Sequence, residues 1–100
     1  MGKVKDIMES IITTDMEHCF ICKMAPAEIH HIIFGTANRD LSDKFGLVVP
    51  LCAKHHRTGN HAVHKYKAAD LYFKRLAQEQ FAEIFPQYSF RQIFGKEWNE

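Results

Sequence analysis

The stretch of residues 28–64, EIHHIIFGTANRDLSDKFGLVVPLCAKHHRTGNHAVH, contains six of the seven histidines of the chain. It also contains Cys52, which lies three positions before His55, at a spacing typical of metal ligands. Scattered surface polarity does not explain so dense a mixture of imidazoles and thiols. We therefore expect this stretch to hold the functional site and to organise the fold around it.

The composition is that of a small globular protein. A chain of 100 residues suits one domain with a thin core, and 46% hydrophobic and 25% charged residues are ordinary proportions. The net charge of +1 gives no overall attraction to nucleic acid, so any DNA contact needs a local basic patch. The sequence has neither a long apolar run nor a signal peptide, so we expect no membrane partner and a cytoplasmic location.

The cysteines predict a structural zinc site. Cys19-x-x-Cys22 and Cys52-x-x-His55 have the same two-residue gap and are about 30 residues apart, a spacing known for structural zinc. Thiols of this kind suit a reducing compartment better than a disulfide framework does. We expect these four residues to bind one Zn²⁺, and the alternative is that they are buried free cysteines beside an incidental histidine.

Two strands are predicted within the stretch. Residues 27–34 and residues 47–51 are short and β-rich, and both are bounded by proline or glycine. The segment between them, residues 35–46, is rich in turn formers and predicts a functional loop. Because side chains alternate across a strand, His30 and His31 must face different surroundings.

Helices are predicted on both sides of this core. Apolar residues at helical spacing predict a short helix over residues 1–13, with an extended segment as the alternative. The same periodicity predicts a long helix over residues 63–85 that ends before Pro86. A capping pattern that begins at Ser89 predicts a last short helix that stops at Gly95.

The remaining histidines predict a second, more open metal site. His30, His56 and His64 are its candidate ligands, and His61 is a possible alternative ligand. His31 then remains without a metal, and because histidine titrates near neutral pH it could take a proton from water. The alternative is that both histidines of the strand are structural.

These motifs resemble the HNH, or ββα-metal, endonuclease family. Ile29-His30-His31-Ile32 is similar to the first family motif and Pro50-Leu-Cys-Ala-Lys-His-His to the second, and the resemblance covers roughly residues 19–66. It implies an α+β fold with two antiparallel strands and a helix around one divalent ion. The expected architecture is a zinc-stapled ββα-metal core with flanking N-terminal and C-terminal helices.

The expected domain organisation is one HNH-like domain over residues 1–100. Residues 1–17 form an N-terminal helical or extended segment, residues 18–66 the ββα-metal core, and residues 67–100 the C-terminal helices.

The resemblance implies hydrolysis of DNA phosphodiester bonds. The family pattern makes His30 a ligand of the catalytic ion and His31 the general base that activates water. Asn38 is the nearest counterpart of the family asparagine that orients the base, and Arg39 could contact phosphate through its planar fork. The ion could be Mg²⁺, Mn²⁺, Ni²⁺ or Zn²⁺.

Basic residues near the histidines predict a DNA-binding patch formed by Arg39, Lys54, Arg57 and Lys65, with a solvated surface as the alternative. The motifs also resemble those of small phage-encoded or prophage-encoded HNH-like proteins, which implies a bacterial host or phage-infected cell.

A second function remains open at this point. The chain could be a noncatalytic zinc-binding module that docks on nucleic acid or on a phage protein, because no asparagine directly precedes the second strand. A homodimer is also possible, since the aromatic C-terminal helix could offer an apolar face.

Overall fold

The structure is a computed structural model that describes residues 10–98. It is α+β, with a two-stranded antiparallel sheet and helices around it. The elements follow in the order β1 (Glu28–His31), α1 (Thr36–Phe45), β2 (Val48–Leu51), a π-helical turn (Lys54–Thr58), α2 (Lys67–Ile84) and α3 (Phe90–Phe94).

Both predicted strands are present, although each is shorter than the sequence pattern. β1 and β2 pair antiparallel, with His30 opposite Val49 and His31 opposite Val48. Pro50 is accommodated inside β2 because this strand has only β1 as a neighbour. The carbonyl of Pro50 on the open side accepts a hydrogen bond from the backbone N–H of Phe20 at 2.8 Å.

The prediction of a loop over residues 35–46 is wrong, because most of this segment is helix α1. Leu41 and Phe45 are four positions apart and pack together against the core. Ser42, which lies between them in the sequence, is fully buried, and its hydroxyl donates to the Ile33 carbonyl at 2.6 Å. This tertiary hydrogen bond satisfies a polar residue that the sequence alone assigns to a turn.

The long C-terminal helix is confirmed as α2, which begins four residues later than predicted. Its buried face contains Phe73, Ala77 and Phe81, which recur every four positions. The chain leaves the helix at Ile84, two residues before Pro86, as expected for a residue that cannot continue a helix.

The predicted cap of the last helix is also confirmed. The Ser89 hydroxyl accepts a hydrogen bond from the backbone N–H of Gln92 at 3.2 Å. α3 then presents Phe90 and Phe94 to α2, with ring centroids 5.4 and 6.2 Å from that of Phe81. The core thus joins the helices to the sheet, and its larger members are Ile32, Ile33, Phe45, Leu47, Leu51, Phe73, Phe81, Phe90 and Phe94.

The N-terminal helix predicted over residues 1–13 falls mainly on residues 1–9, which lie outside the described residues. Residues 10–13 are not helical. There the Ser10 hydroxyl donates to the Val48 carbonyl at 2.6 Å and accepts from the backbone N–H of Ile12. These contacts attach this segment to β2. Between residues 10 and 98 there is no helix long and apolar enough to cross a membrane.

Candidate metal centres

Cys19, Cys22, Cys52 and His55 come together in one cluster. Their ligand atoms all lie within 4.8 Å of one another. The Sγ atoms of Cys22 and Cys52 are 3.7 Å apart, and His55 Nδ1 lies 3.6 Å from Cys19 Sγ and 3.3 Å from Cys52 Sγ. Zinc bond lengths in a tetrahedron require ligand separations of roughly 3.4–3.8 Å. The cluster could therefore hold a metal ion such as zinc.

The first half of this cluster is a tight turn fixed to the sheet. The backbone N–H of Cys19 donates to Met24, and that of Lys23 donates back to Cys19, both at 2.8 Å. Lys23 adopts a positive φ of 69°, which closes the turn. Because the neighbouring Phe20 bonds to Pro50, the turn is attached to the same strand that leads into Cys52.

The electrostatics of the turn favour a thiolate at Cys19. Burial raises the pKa of this thiol, but backbone N–H groups of Cys22, Cys52 and Ile21 together outweigh burial and lower the pKa to about 6. A thiolate is the form that binds zinc.

A second cluster contains His30, His56 and His64. One ring nitrogen of each lies within 4.8 Å of the others. His30 is 1% exposed and its Nε2 has no hydrogen-bond partner within the described part of the chain. The Nε2 atoms of His56 and His64 are 3.1 Å apart. A buried ring nitrogen without a partner needs an explanation, and a metal ion supplies one.

The two clusters are joined through the backbone. His30 comes from β1, His56 from the π-helical turn, and His64 from the segment before α2. The backbone N–H of His56 donates to the carbonyl of Cys52 at 2.8 Å, and that of His64 donates to His56 at 3.3 Å. The end of β2 therefore positions ligands of both clusters.

Two rings of the second cluster, those of His30 and His64, favour the neutral form. Burial, followed by the nearby His56 and His64, lowers the pKa of His30 to about 3. Burial also lowers the pKa of His64. A neutral imidazole keeps the lone pair that metal binding requires.

Glu28 orients His56, and sequence analysis did not identify it. Its Oε1 lies 2.7 Å from His56 Nδ1, which makes that nitrogen the donor and leaves the lone pair on Nε2, toward the cluster. Arg57 also binds this carboxylate through two nitrogens. Hydrogen bonds from Arg57 and then from His56 lower the pKa of Glu28 to about 2. The sequence signal for Glu28 was its position two residues before His30, because this spacing places both side chains on one face of a strand.

His31 pairs with Asp43, a second partner that sequence analysis did not identify. The His31 Nε2 and Asp43 Oδ1 atoms are 2.6 Å apart. Asp43 lies on α1, so the incorrect prediction of a loop concealed the pairing. The contact uses Nε2, so Nδ1 of His31 is the ring nitrogen that does not bind Asp43.

A cavity of about 250 Å³ opens over the second cluster. Its lining consists of Ile29, His30, His31, Phe34, Arg39, His56 and His64. The cavity thus brings together the three candidate ligands, the histidine paired with a carboxylate, and a guanidinium.

Two predicted site residues lie elsewhere. His61 packs edge-on against Tyr66, with ring centroids 4.6 Å apart, and lines a separate cavity with Lys54. It is therefore not part of the three-histidine cluster. Asn38 lies on α1 and does not line the cavity, and the partner of His31 is Asp43 instead.

Of the four residues of the predicted basic patch, Arg39 alone lines the cavity over the second cluster. Arg39 reaches the cavity, but Arg57 is bound to Glu28 and does not present an unpaired guanidinium. Lys65 donates to the carbonyl of Thr58 at 3.3 Å.

Comparison of the chain with protein-family models, with curated proteins and with solved structures gives no match.

Proposed function

We propose that this protein is a metal-dependent endonuclease of the HNH, or ββα-metal, type that hydrolyses DNA phosphodiester bonds. The observation that carries the proposal is His31, which is paired with Asp43 and lines the same cavity as three clustered imidazoles. A base and a set of ion ligands on one cavity are the two parts that single-ion phosphodiester hydrolysis needs.

The ligand chemistry favours a borderline transition metal. The second cluster offers three imidazole nitrogens, from His30, His56 and His64, and imidazole suits Zn²⁺ and Ni²⁺ better than it suits Mg²⁺. The unpaired, buried Nε2 of His30 fits such an ion. When bound, the ion would polarise the scissile phosphate and stabilise the leaving 3′ oxygen.

His31 would act as the general base. Its Nδ1 accepts a proton from the attacking water while Nε2 remains bonded to the Asp43 carboxylate. The carboxylate holds the ring in place and stabilises the positive charge that proton transfer produces. Arg39, which is exposed on α1, would bind the phosphate oxygens through its planar fork.

The Cys₃His cluster would support this site from outside it. A zinc ion bound there would clamp the end of β2 to the turn around Cys19, and His56 is bonded directly to the backbone of Cys52. Such a clamp would fix the position of one candidate ligand of the catalytic ion and compensate for a small core.

The test is cleavage of supercoiled plasmid by purified protein that has been stripped at the open site and reloaded with Zn²⁺, Ni²⁺, Mn²⁺ or Mg²⁺. We expect nicking with Zn²⁺ or Ni²⁺ and a loss of about 10²–10⁴-fold in His31→Ala. His18→Ala, an exposed histidine outside both clusters, is the matched control and should cleave normally. Nicking that survives in His31→Ala excludes the assigned base.

A second candidate function is a noncatalytic zinc module that docks on nucleic acid or on a phage protein. Two exposed apolar residues on the turn around Cys19 favour the noncatalytic module. They are Ile21 and Met24, which are 48% and 64% accessible and could contact a partner. Elemental analysis separates the two functions. The module requires one zinc per chain, whereas the enzyme requires a second ion that a chelator removes first.

A further inference from the structure

Phe34 occupies an unusual position between the core and the candidate site. It directly follows Ile32 and Ile33, which are almost completely buried, yet its own side chain is 44% exposed. Its ring lines the cavity, with its centroid 5.6 Å from that of His64 and 6.2 Å from that of His30. The ring is therefore an accessible apolar surface beside the candidate ion ligands.

The buried ammonium group of Lys74 contacts the ring of Phe34. The Nζ atom of Lys74 lies 4.3 Å from the centroid of Phe34, while the lysine residue is only 9% exposed. Asp70 fixes the ammonium group through a contact of 2.7 Å. Because this cation covers part of the ring and orients it, the exposed remainder of Phe34 is a preorganised surface that faces the cavity.

The other groups at the cavity point to the chemistry of the occupant. Arg39 offers a planar guanidinium for phosphate, the histidines offer ion ligands, and Phe34 with Ile29 offers an apolar surface. A nucleotide has the matching combination of a phosphate and a planar base. Bases of any sequence stack on aromatic side chains, since every base has a π face.

We propose that Phe34 is a base-stacking subsite and that the preferred substrate has an unpaired nucleotide next to the scissile phosphate. This inference rests on the proposed endonuclease function. In a duplex both faces of a base are already stacked, and taking the base out of the stack weakens the binding of the duplex. A single strand, a gap or a flap provides the base without that cost.

The test compares three fluorescent DNA substrates of one sequence: a single strand, the intact duplex, and the duplex with a short gap. The protein carries Zn²⁺ or Ni²⁺, and both cleavage and binding by fluorescence anisotropy are measured. We expect the single strand and the gap to be bound and cleaved at least fivefold better than the duplex. Equal use of all three substrates would overturn the proposal.

Variants assign the preference to the ring. Phe34→Leu keeps an apolar side chain but removes the aromatic face, and should weaken binding of the single strand by about 5- to 150-fold. Phe34→Tyr keeps the ring and should retain the preference. Tyr72→Leu, at an exposed aromatic residue outside this cavity, is the matched control.

An abasic scan makes the assignment position-specific. Single strands that each carry one abasic nucleotide at a different position are compared for binding to the wild-type protein. At one position beside the cleavage point, the missing base should weaken binding by as much as Phe34→Leu weakens binding of the intact single strand. The same abasic strand should cause no additional loss in Phe34→Leu. Additive losses would show that the base contacts another residue and would overturn the proposal.

Failure of the subsite and failure of the enzyme give different results. If the protein cleaves DNA but Phe34→Leu behaves as the wild type does, the subsite is wrong and the endonuclease stands. If binding of the single strand depends on Phe34 but no ion supports cleavage, the endonuclease is wrong and the subsite stands. A loss confined to duplex substrates would instead identify Phe34 as a wedge between base pairs.

Discussion

The Nε2 atom of His31 lies 2.6 Å from the Oδ1 atom of Asp43, and this contact links β1 to α1 beside the candidate ion ligands. It engages Nε2 of His31, so Nδ1 is the nitrogen that the proposed reaction would use. A histidine whose orientation is set by a carboxylate is better prepared for proton transfer than one that rotates freely.

Removal of the Asp43 carboxylate should slow cleavage. We expect Asp43→Ala to lower kcat by about 10- to 100-fold with little change in KM, a smaller loss than removal of the base itself. Asp43→Asn keeps an acceptor for the histidine and should recover part of the activity. Steady-state kinetics on the preferred DNA substrate measure both effects.

The matched control for this prediction is Asp40→Asn, an exposed carboxylate on the same helix. If Asp40→Asn and Asp43→Asn lose equal activity, the effect belongs to the net charge of α1 and not to the pairing with His31.

Loss of the Cys₃His cluster should destabilise the whole fold. Cys19→Ser removes a fully buried ligand, and we expect a loss of at least about 3 kcal/mol in unfolding free energy, which corresponds to a fall in Tm of about 12–24 °C. Thermal unfolding and zinc content measure this effect. A variant that keeps its Tm after losing one zinc per chain would show that the cluster does not stabilise the fold.

Removal of Glu28 should weaken the second metal site and leave the first intact. In Glu28→Ala the His56 ring loses the acceptor that fixes its tautomer, and we expect the affinity of the three-histidine site for Ni²⁺ or Zn²⁺ to fall by about 10- to 100-fold. Calorimetric titration measures the affinity, and Glu17→Ala, an exposed carboxylate, is the control. If Glu28→Ala also lost zinc from the Cys₃His cluster, the result would contradict the prediction that Glu28 supports only the three-histidine site.

The burial of His30 should make stability depend on pH when the three-histidine site is metal-free. The pKa of His30 is lowered from 6.5 to about 3, so between these values the unfolded chain binds a proton that the folded chain does not. Stability is therefore retained above pH 6.5 and falls as the pH decreases toward 3.

His30→Phe removes this titration. Between pH 7 and pH 5 the wild type should lose about 2 kcal/mol of unfolding free energy relative to this variant. Urea unfolding at both pH values, with the tightly bound zinc retained in both proteins, measures the difference. Parallel pH profiles would mean that His30 titrates alike in the folded and unfolded chains.

The parts of the fold that follow from local patterns were predictable. The two-residue gap between Cys19 and Cys22 places both thiols on one tight turn, so the sequence spacing translates directly into geometry. The α2 periodicity and the Ser89 cap are similarly local. Each of these features depends on residues only a few positions apart.

Helix α1 was not predictable in the same way, because tertiary contacts stabilise it. Its sequence contains Asn38, Ser42 and Asp43, residue types that compete with the helix backbone and favour turns. Ser42 is helical and buried because Ile33 supplies a distant hydrogen-bond acceptor. The pairing of His31 with Asp43 requires this helix, so it was concealed by the same error.

The adjacency of His30 and His31 has a consequence for how the site is assembled. A slip of one residue between β1 and β2 would exchange the positions of the two histidines, so that His31 would enter the cluster with His56 and His64 and His30 would lie toward Asp43. Cys52 follows the end of β2 directly, and the turn around Cys19 is bonded to Pro50 through the backbone N–H of Phe20. A metal ion held by the Cys₃His cluster would therefore favour one strand alignment, and a chain that folded without it could contain every residue of the three-histidine cluster and still place His30 and His31 in exchanged positions.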